Sequence, residues 1–453
     1  MAGEDWIECK LGEACSSIDY GLTASASGVA VGPRFLRITD IVSGSIDWNS
    51  VPYVAAGEAE QEKYRLDDGD IVLARTGAST GVSAYVKEPP GAVFASYLVR
   101  LKAKPEFDSR FLAYYLKGDA FWSFIRGVLG DKSAQPNASA STMTQAPLRA
   151  PRTKATQGAI AHILGSLDDK IELNRRMNET LEAIARALFK SWFVDFDPVR
   201  ARVEGRDSGL PKNLAALFPD SFQESEVGKI PRGWELGVLD QLIEVVLGGD
   251  WGGDDQTEEL SEPARCIRGA DIPDLQMGGA GKMPVRFLRP SSLKKRRLNS
   301  GDLVVEISGG GPTQSTGRPV LLSRGLLSRV NMPLVCSNFC RLLKPRLPAF
   351  STFVYLWLRW LYSNDELLQF ENGTTGIKNF AFTLFRSSYK LCMPPLEILE
   401  AFDQQVSPLF DKQQANGTEN DILVALRNTL LPKLISGQLR LKDAERMAAE
   451  ASS

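Results

Sequence analysis

Apolar residues recur at three- and four-residue intervals from Ile160 to Phe196. They fall at Ile160, Ile163, Leu164, Leu167, Ile171, Met177, Leu181, Ile184, Leu188 and Trp192. That spacing puts them on one stripe of a helix. After Gly165 there is no glycine until Gly205 and no proline until Pro198, so nothing interrupts the pattern. Some 37 residues would make a rod of roughly 55 Å, far longer than an ordinary helix of about 11–12 residues. A second such stretch runs from Leu396 to about Leu439. A shift of 242 residues carries Leu167 onto Leu409, Asp169 onto Asp411, Lys170 onto Lys412, Asn174 onto Asn416 and Asn178 onto Asn420. The same shift carries Leu181 onto Leu423, Ala183 onto Ala425 and Leu188 onto Leu430. The window is ungapped, so the chain is a duplication with a period near half its length.

The expected seam is Leu167, Asn174, Leu181 and Leu188 on one rod, and Leu409, Asn416, Leu423 and Leu430 on the other. A polar residue in such a seam costs stability but can fix register and partner. The alternative is that Asn174 and Asn416 bond a neighbour or face water. Aspartate at Leu181 or Leu423 is expected to bury a charge and cost several kcal/mol.

The segments before the rods carry strand patterns. Arg34–Ile41 alternates, Gly69–Arg75 is a turn running into a buried strand, and Thr76–Gly81 is a polar loop. Val82–Lys87 and Ala95–Lys102 are further strands, Ser109–Gly127 is an aromatic-rich helix, and Gly130–Thr144 is loop-like. From Trp234 the order begins again. Ile267-Arg-Gly-Ala-Asp-Ile272 echoes Leu36-Arg-Ile-Thr-Asp-Ile41, and Gly301-Asp-Leu-Val-Val305 echoes Gly69-Asp-Ile-Val-Leu73. Asn338–Leu343 and Phe350–Tyr362 repeat the strand and the aromatic helix. The layout is domain (1–150), long helix (151–197), connector (198–233), domain (234–394), long helix (395–440) and tail (441–453). The connector is rich in proline, glycine and charge, as befits a linker.

Composition is that of an ordinary soluble protein, 43% hydrophobic and 24% charged. MAGEDWIECK lacks a basic and then apolar leader, so no signal peptide is expected. The apolar run Phe350–Tyr362 is too short to span a bilayer. Cys9, Cys15, Cys266, Cys336, Cys340 and Cys392 form no CxxC pair. Cys336 and Cys340 could share a helix face, but with His162 the lone histidine no metal site is expected. Reduced thiols in a cytoplasmic protein are the expectation. The net charge of −2 argues against a uniformly basic nucleic-acid protein, though not against local basic surfaces.

Two similar domains on matched rods suit a ligand that itself nearly repeats along an axis. Duplex DNA, at roughly 34 Å per turn, is one. Its half-sites would be read by loop residues able to reach bases or phosphates. In the first domain these are Arg75, Thr76, Ser79 and Thr80, then Lys132, Ser133, Gln135 and Asn137. In the second they are Ser308, Thr313, Gln314, Ser315 and Arg318, then Thr374, Thr375, Lys378 and Asn379. Lys294-Lys295-Arg296-Arg297 is the densest basic run and a candidate phosphate contact. The competing view is that all these are solvated residues with turn chemistry. Enzymatic readings lack their motifs. Gly309–Arg318 lacks the Gly-Lys-Ser/Thr ending of a phosphate loop, no Asn/Asp-Pro-Pro-aromatic tetrapeptide occurs, and a lone histidine supports no His-based triad.

Several segments resemble the specificity subunit of type I restriction–modification systems. They are Leu164–Phe189, Ser191–Val199, Leu217-Phe-Pro-Asp220, Gly228–Trp234 and Leu430-Leu-Pro-Lys-Leu-Ile-Ser-Gly437. The resemblance spans essentially the whole chain. It implies a mixed α+β fold: two α/β target-recognition domains separated by two long helices packed as an antiparallel coiled coil, duplicated about a pseudo-twofold. Each domain would read half of a bipartite, interrupted site in double-stranded DNA. The helices would set the spacing and dock two methyltransferase subunits. S-adenosylmethionine would sit on those subunits, and ATP with Mg²⁺ on a motor–endonuclease subunit present in up to two copies. The chain would be a non-catalytic, cytoplasmic part of a defence against foreign DNA, with no cofactor and no membrane contact of its own. One departure is Pro151-Arg-Thr-Lys-Ala-Thr-Gln157, which replaces the Pro-Pro-apolar entry seen at Pro394-Pro-Leu396. A twin-domain protein scaffold that binds no DNA is the alternative function.

Overall fold

The computed structural model describes residues 6–42, 44–130, 137–309, 315–373 and 378–451. They form two compact units, Met1–Ile171 with Ile422–Ser453, and Glu172–Asp421. Each unit is built on the same four-stranded antiparallel sheet. In the first the strand order is Cys15–Tyr20, Leu98–Ala103, Ile71–Ala74, Ser83–Tyr85. In the second it is Ile243–Gly248, Cys340–Pro345, Leu303–Glu306, Pro319–Leu321. Of the inner strands, Ile71–Ala74 and residues 303–305 are continuous apolar runs because both faces are covered. Ile71 and Leu73 enter the core shared with the aromatic helix, and Val72 and Ala74 enter the opposite one. Leu303 and Val305, against Val304, divide in the same way. The two-residue alternation of a strand requires this.

Each sheet has the same companions. A parallel pair joins Arg34–Leu36 to Ala92–Phe94, and its counterpart joins Glu262–Ile267 to Leu334–Cys336. An antiparallel pair closes each domain: Trp6–Lys10 with Pro147–Pro151, and Glu235–Gly237 with Leu391–Met393. The echoed Arg-x-x-Asp is a local clamp. The Arg37 guanidinium donates to both oxygens of Asp40 (3.0 and 2.8 Å) and its amide to one of them (2.8 Å). Arg268 and Asp271 repeat this at 3.0, 3.0 and 2.9 Å. The clamp folds Ile38–Asp40 into a 3₁₀ turn, so the strand predicted to reach Ile41 stops at Leu36. Ser109–Gly127 divides into Ser109–Tyr115 and Asp119–Leu129, with Gly118 as the extended N-cap of the second helix. Cys336 and Cys340 lie on strands at the two ends of a turn, not on a helix face.

The long helices are Lys154–Phe193 and Leu396–Ile435. In place of an entry through two prolines, Thr153 caps the first one, its hydroxyl accepting from the Thr156 amide at 3.2 Å. The helices complete the cores of both units. Leu164, Leu167 and Ile171 share the first core with Leu423, Leu430 and Leu434. Phe189, Trp192 and Phe193 share the second with Ile398, Phe402 and Val406. Phe193 and Phe402 meet edge to face at 4.8 Å between centroids. Numbers rise along one helix as they fall along the other. Asn174 bonds Glu419 and Asn420 (2.8 and 3.0 Å), while Asn178 bonds Gln413 and Asn416. The pair is therefore antiparallel.

The buried line differs from the expected seam. It runs Ile160, Leu164, Leu167, Ile171, Asn174, Asn178, Glu182, Ala185, Phe189, Trp192. The predicted Leu181, Leu188 and Leu409 are only half-buried, and Ile184 is exposed. Leu167, Leu423 and Leu430 are buried as expected. The line departs from the apolar positions because its middle is polar. Asn178 donates to the carbonyls of Met277 (2.9 Å) and Gln413 (3.2 Å) and accepts from the Asn416 amide (2.8 Å). Glu182 accepts twice from Arg359 (3.2 and 3.0 Å), which also donates to Gln276 at 2.7 Å. These bonds offset the burial of the polar groups, and a sequence read for apolar period drifts onto the neighbouring face.

Leu423→Asp is expected to cost several kcal/mol and Leu181→Asp less than about 1 kcal/mol. Calorimetric unfolding of the two variants checks this asymmetry. Asn178→Ala would leave the buried Asn416 amide without its acceptor, costing about 1–3 kcal/mol. Its thermal midpoint should fall by several degrees, and an unchanged midpoint would refute the polar crossing as a structural element.

Candidate nucleic-acid interface

In each domain the loop after the innermost strand is joined by backbone pairing to the loop that follows the aromatic helix. In the first, Thr76 forms an antiparallel bridge with Asn137, and the Ala138 amide donates to the Arg75 carbonyl at 3.0 Å. In the second, Ser308 pairs with Asn379 and Gly309 with Lys378, and the Phe380 amide donates to the Ile307 carbonyl at 2.8 Å. Arg75, Thr76, Asn137 and Ala138 thus correspond to Ile307, Ser308, Asn379 and Phe380. The described ends of the two loop sets, far apart in sequence, are thus paired in each domain. A hydroxyl residue and an exposed asparagine occupy matching positions in both.

A third segment joins each pair of loops. The Arg75 amide donates to the Tyr97 carbonyl at 3.1 Å, and the Ile307 amide to the Phe339 carbonyl at 2.8 Å. Both aromatic residues lie in the tight turn that starts the central strand. In the sequence a lone Tyr or Phe ahead of a strand carries no signal. Their equivalence marks them, Tyr97 and Phe339 being 242 residues apart.

Several predicted residues are committed to the fold itself. Thr80 is buried, and its hydroxyl donates to the Gly77 carbonyl at 2.7 Å. Arg318 holds the buried Glu306 carboxylate through two bonds of 2.7 and 2.8 Å. The backbone bonds that set Glu306 against Arg318 set Ala74 against Val82 in the first domain. The second domain therefore carries a buried ion pair where the first is apolar, and such a pair survives burial only when so well bonded. Arg296 donates to the Gly248 carbonyl (2.9 Å) and to the Ser292 hydroxyl (3.0 Å). Lys294, Lys295 and Arg297 remain exposed at the end of the helix Pro290–Arg296, where cations also favour its C-terminal dipole.

The remaining candidates are mixed. Arg75 is half-buried, its guanidinium 4.8 Å from the centre of the Tyr20 ring. Ser79 is half-buried in a 3₁₀ turn, and the Ser315 carbonyl accepts from the Tyr362 hydroxyl at 3.4 Å. Lys378 lies 3.3 Å from Glu371. Asn137 and Asn379 are exposed. Lys132, Ser133, Gln135, Thr313, Gln314, Thr374 and Thr375 fall outside the described residues.

Residues 4–183, the first domain and most of the first long helix, match the family model of the type I restriction modification DNA specificity domain. The HindI specificity subunit of Haemophilus influenzae is 25% identical over an alignment covering 96% of this chain and 100% of the relative. The MjaIX specificity subunit of Methanocaldococcus jannaschii is 26% identical over 74% of this chain and 70% of its own. Among solved structures, a type I restriction–modification S subunit from M. genitalium shares the fold. It superposes with a TM-score of 0.56 at 16% identity, covering 96% of this chain and 97% of that one. The second domain repeats the four-stranded sheet, the parallel pair and the closing antiparallel pair of the domain that the family model matches. Residues 4–183 carry the type I restriction modification DNA specificity domain, and over 96% of its length the chain is similar to a type I specificity subunit.

Proposed function

We propose that each domain reads one half of a bipartite, interrupted DNA site through its paired loops. The observation that carries this reading is the repeated stitching of loop to loop, Thr76 to Asn137 and Ser308 to Asn379. It leaves one exposed asparagine at the same point of each domain. Asparagine suits base readout, because its amide can bond the N6 and N7 edge of adenine in a bidentate manner. Lys294, Lys295 and Arg297 supply the second domain with phosphate contacts, which position the protein without specifying sequence.

In the same reading the two long helices hold the half-site spacing fixed and dock methyltransferase subunits. Adenine methylation resides in those partners together with S-adenosylmethionine. Cleavage, with ATP and Mg²⁺, resides in a motor–endonuclease subunit. This chain contributes recognition and no chemistry. Two continuous helices of 40 residues, paired antiparallel, support the spacer role.

Co-expression with the neighbouring methyltransferase subunit, followed by genome-wide mapping of modified adenines, is expected to yield one motif of two half-sites and a fixed gap. A stable complex that modifies nothing would transfer the reading to a protein scaffold. Asn137→Ala and Asn379→Ala are each expected to weaken discrimination in one half-site only, by about 1–3 kcal/mol per lost base contact. Competition binding with half-site substitutions measures this. Equal loss in both halves would contradict the one-domain, one-half assignment.

A further inference from the structure

Each domain holds one large aromatic side chain in solvent at the same point of its fold. Tyr97 is 61% exposed and Phe339 is 59% exposed. Both occupy the third position of a tight turn. Leu98 N–H donates to the Ala95 carbonyl at 2.9 Å, and Cys340 N–H donates to the Ser337 carbonyl at 2.9 Å. The flanking residues Ala95, Leu98, Ser337 and Cys340 are all buried.

The turns are fastened from below. The Ala95 amide donates to the Leu36 carbonyl and the Ser337 amide to the Ile267 carbonyl, both at 2.9 Å. Gly21 and Gly249 lie against the underside of the two turns. A Cβ at Gly21 would collide with the Phe94 and Ala95 carbonyl oxygens, and one at Gly249 with those of Cys336 and Ser337. From the side, the carbonyl of each aromatic residue accepts the amide that opens the recognition loop. Each ring is therefore carried on a rigid mount beside the exposed asparagine's loop.

Single exposed apolar residues are ordinary on protein surfaces. A large ring at the same site of two otherwise divergent domains, on two turns of identical bonding, is a different observation. At this site the domains differ in much else. Arg75 stands opposite Ile307, and Ala74 with Val82 opposite the Glu306–Arg318 ion pair. Among the described residues, the ring, the asparagine and the hydroxyl residue paired with it recur in both domains.

Resting on the reading of the paired loops as DNA-binding, we propose that Tyr97 and Phe339 are base-contacting residues, one for each half-site. Each ring presses on apolar base surface in its half-site, such as a thymine methyl group. It also excludes water from the neighbouring asparagine contact. The Tyr97 hydroxyl is dispensable in this role, because its counterpart is phenylalanine.

The test uses the full chain in complex with its methyltransferase subunit and a duplex carrying the methylation motif. Tyr97→Ala and Phe339→Ala should each lower affinity for that duplex by roughly tenfold, the scale of one base contact. Each loss should vanish on duplexes whose corresponding half-site is scrambled. Affinity for unrelated DNA, and the slope of log affinity against log salt, should not change, because the ring neutralises no phosphate. Tyr97→Phe and Phe339→Tyr should bind as the unsubstituted chain does. Alanine variants that keep full affinity for the motif, while the unsubstituted complex discriminates it, would overturn the inference alone. An unsubstituted complex that binds all duplexes equally would overturn the DNA reading beneath it.

Discussion

The structure depends on two helices of 40 residues that run antiparallel and finish the cores of both units. Neither domain buries its apolar face by itself. The first borrows Leu164, Leu167 and Ile171 from one helix and Leu423, Leu430 and Leu434 from the other. The second borrows Phe189, Trp192 and Phe193 with Ile398, Phe402 and Val406. Removal of this apolar surface from water, at about 25 cal/mol per Å², therefore couples the fold of each domain to the pairing of segments some 240 residues apart in the chain.

Between the two apolar ends the crossing is polar. Asn174, Asn178, Glu182, Gln413 and Asn416 are all buried there. The amide of Asn178 alone links its helix to Gln413 and Asn416 and to the Met277 carbonyl. Sliding one helix past the other would strand these groups without partners, a penalty of about 1–3 kcal/mol for each. Apolar contact supplies the stability, and the polar centre supplies the register. A helix pair that must keep one register needs the second property as much as the first.

On this frame each domain repeats two backbone junctions, strand loop to late loop and aromatic turn to strand loop, and one side-chain clamp that keeps its arginine and aspartate in both. The two junctions survive wide divergence in side chains because main-chain bonds make them. Arg75 can become Ile307, and an apolar contact can become the Glu306–Arg318 pair, without moving the loops. That independence of frame from surface lets one architecture present two different surfaces.

The sequence by itself determined the duplication, the two rods and the order of elements, because these rest on local periodicity and on identities at a fixed offset. The apolar stripe from Ile160 to Ile171 lies where its period put it. Beyond Ile171 the seam was not legible, because its middle positions are polar and only their partners on the other helix reveal why they are inside. The echoed Arg-x-x-Asp was visible as a repeat but not as a clamp, since a three-residue spacing gives no sign that both carboxylate oxygens are engaged. The candidate loops were identifiable as polar, Gly-rich stretches after buried strands. Which of their residues face solvent was decided by tertiary structure alone. Thr80 and Arg318 are used inside the domain, Asn137 and Asn379 are left outside, and Tyr97 and Phe339 stand exposed on turns whose equivalence appears only when the two sheets are compared.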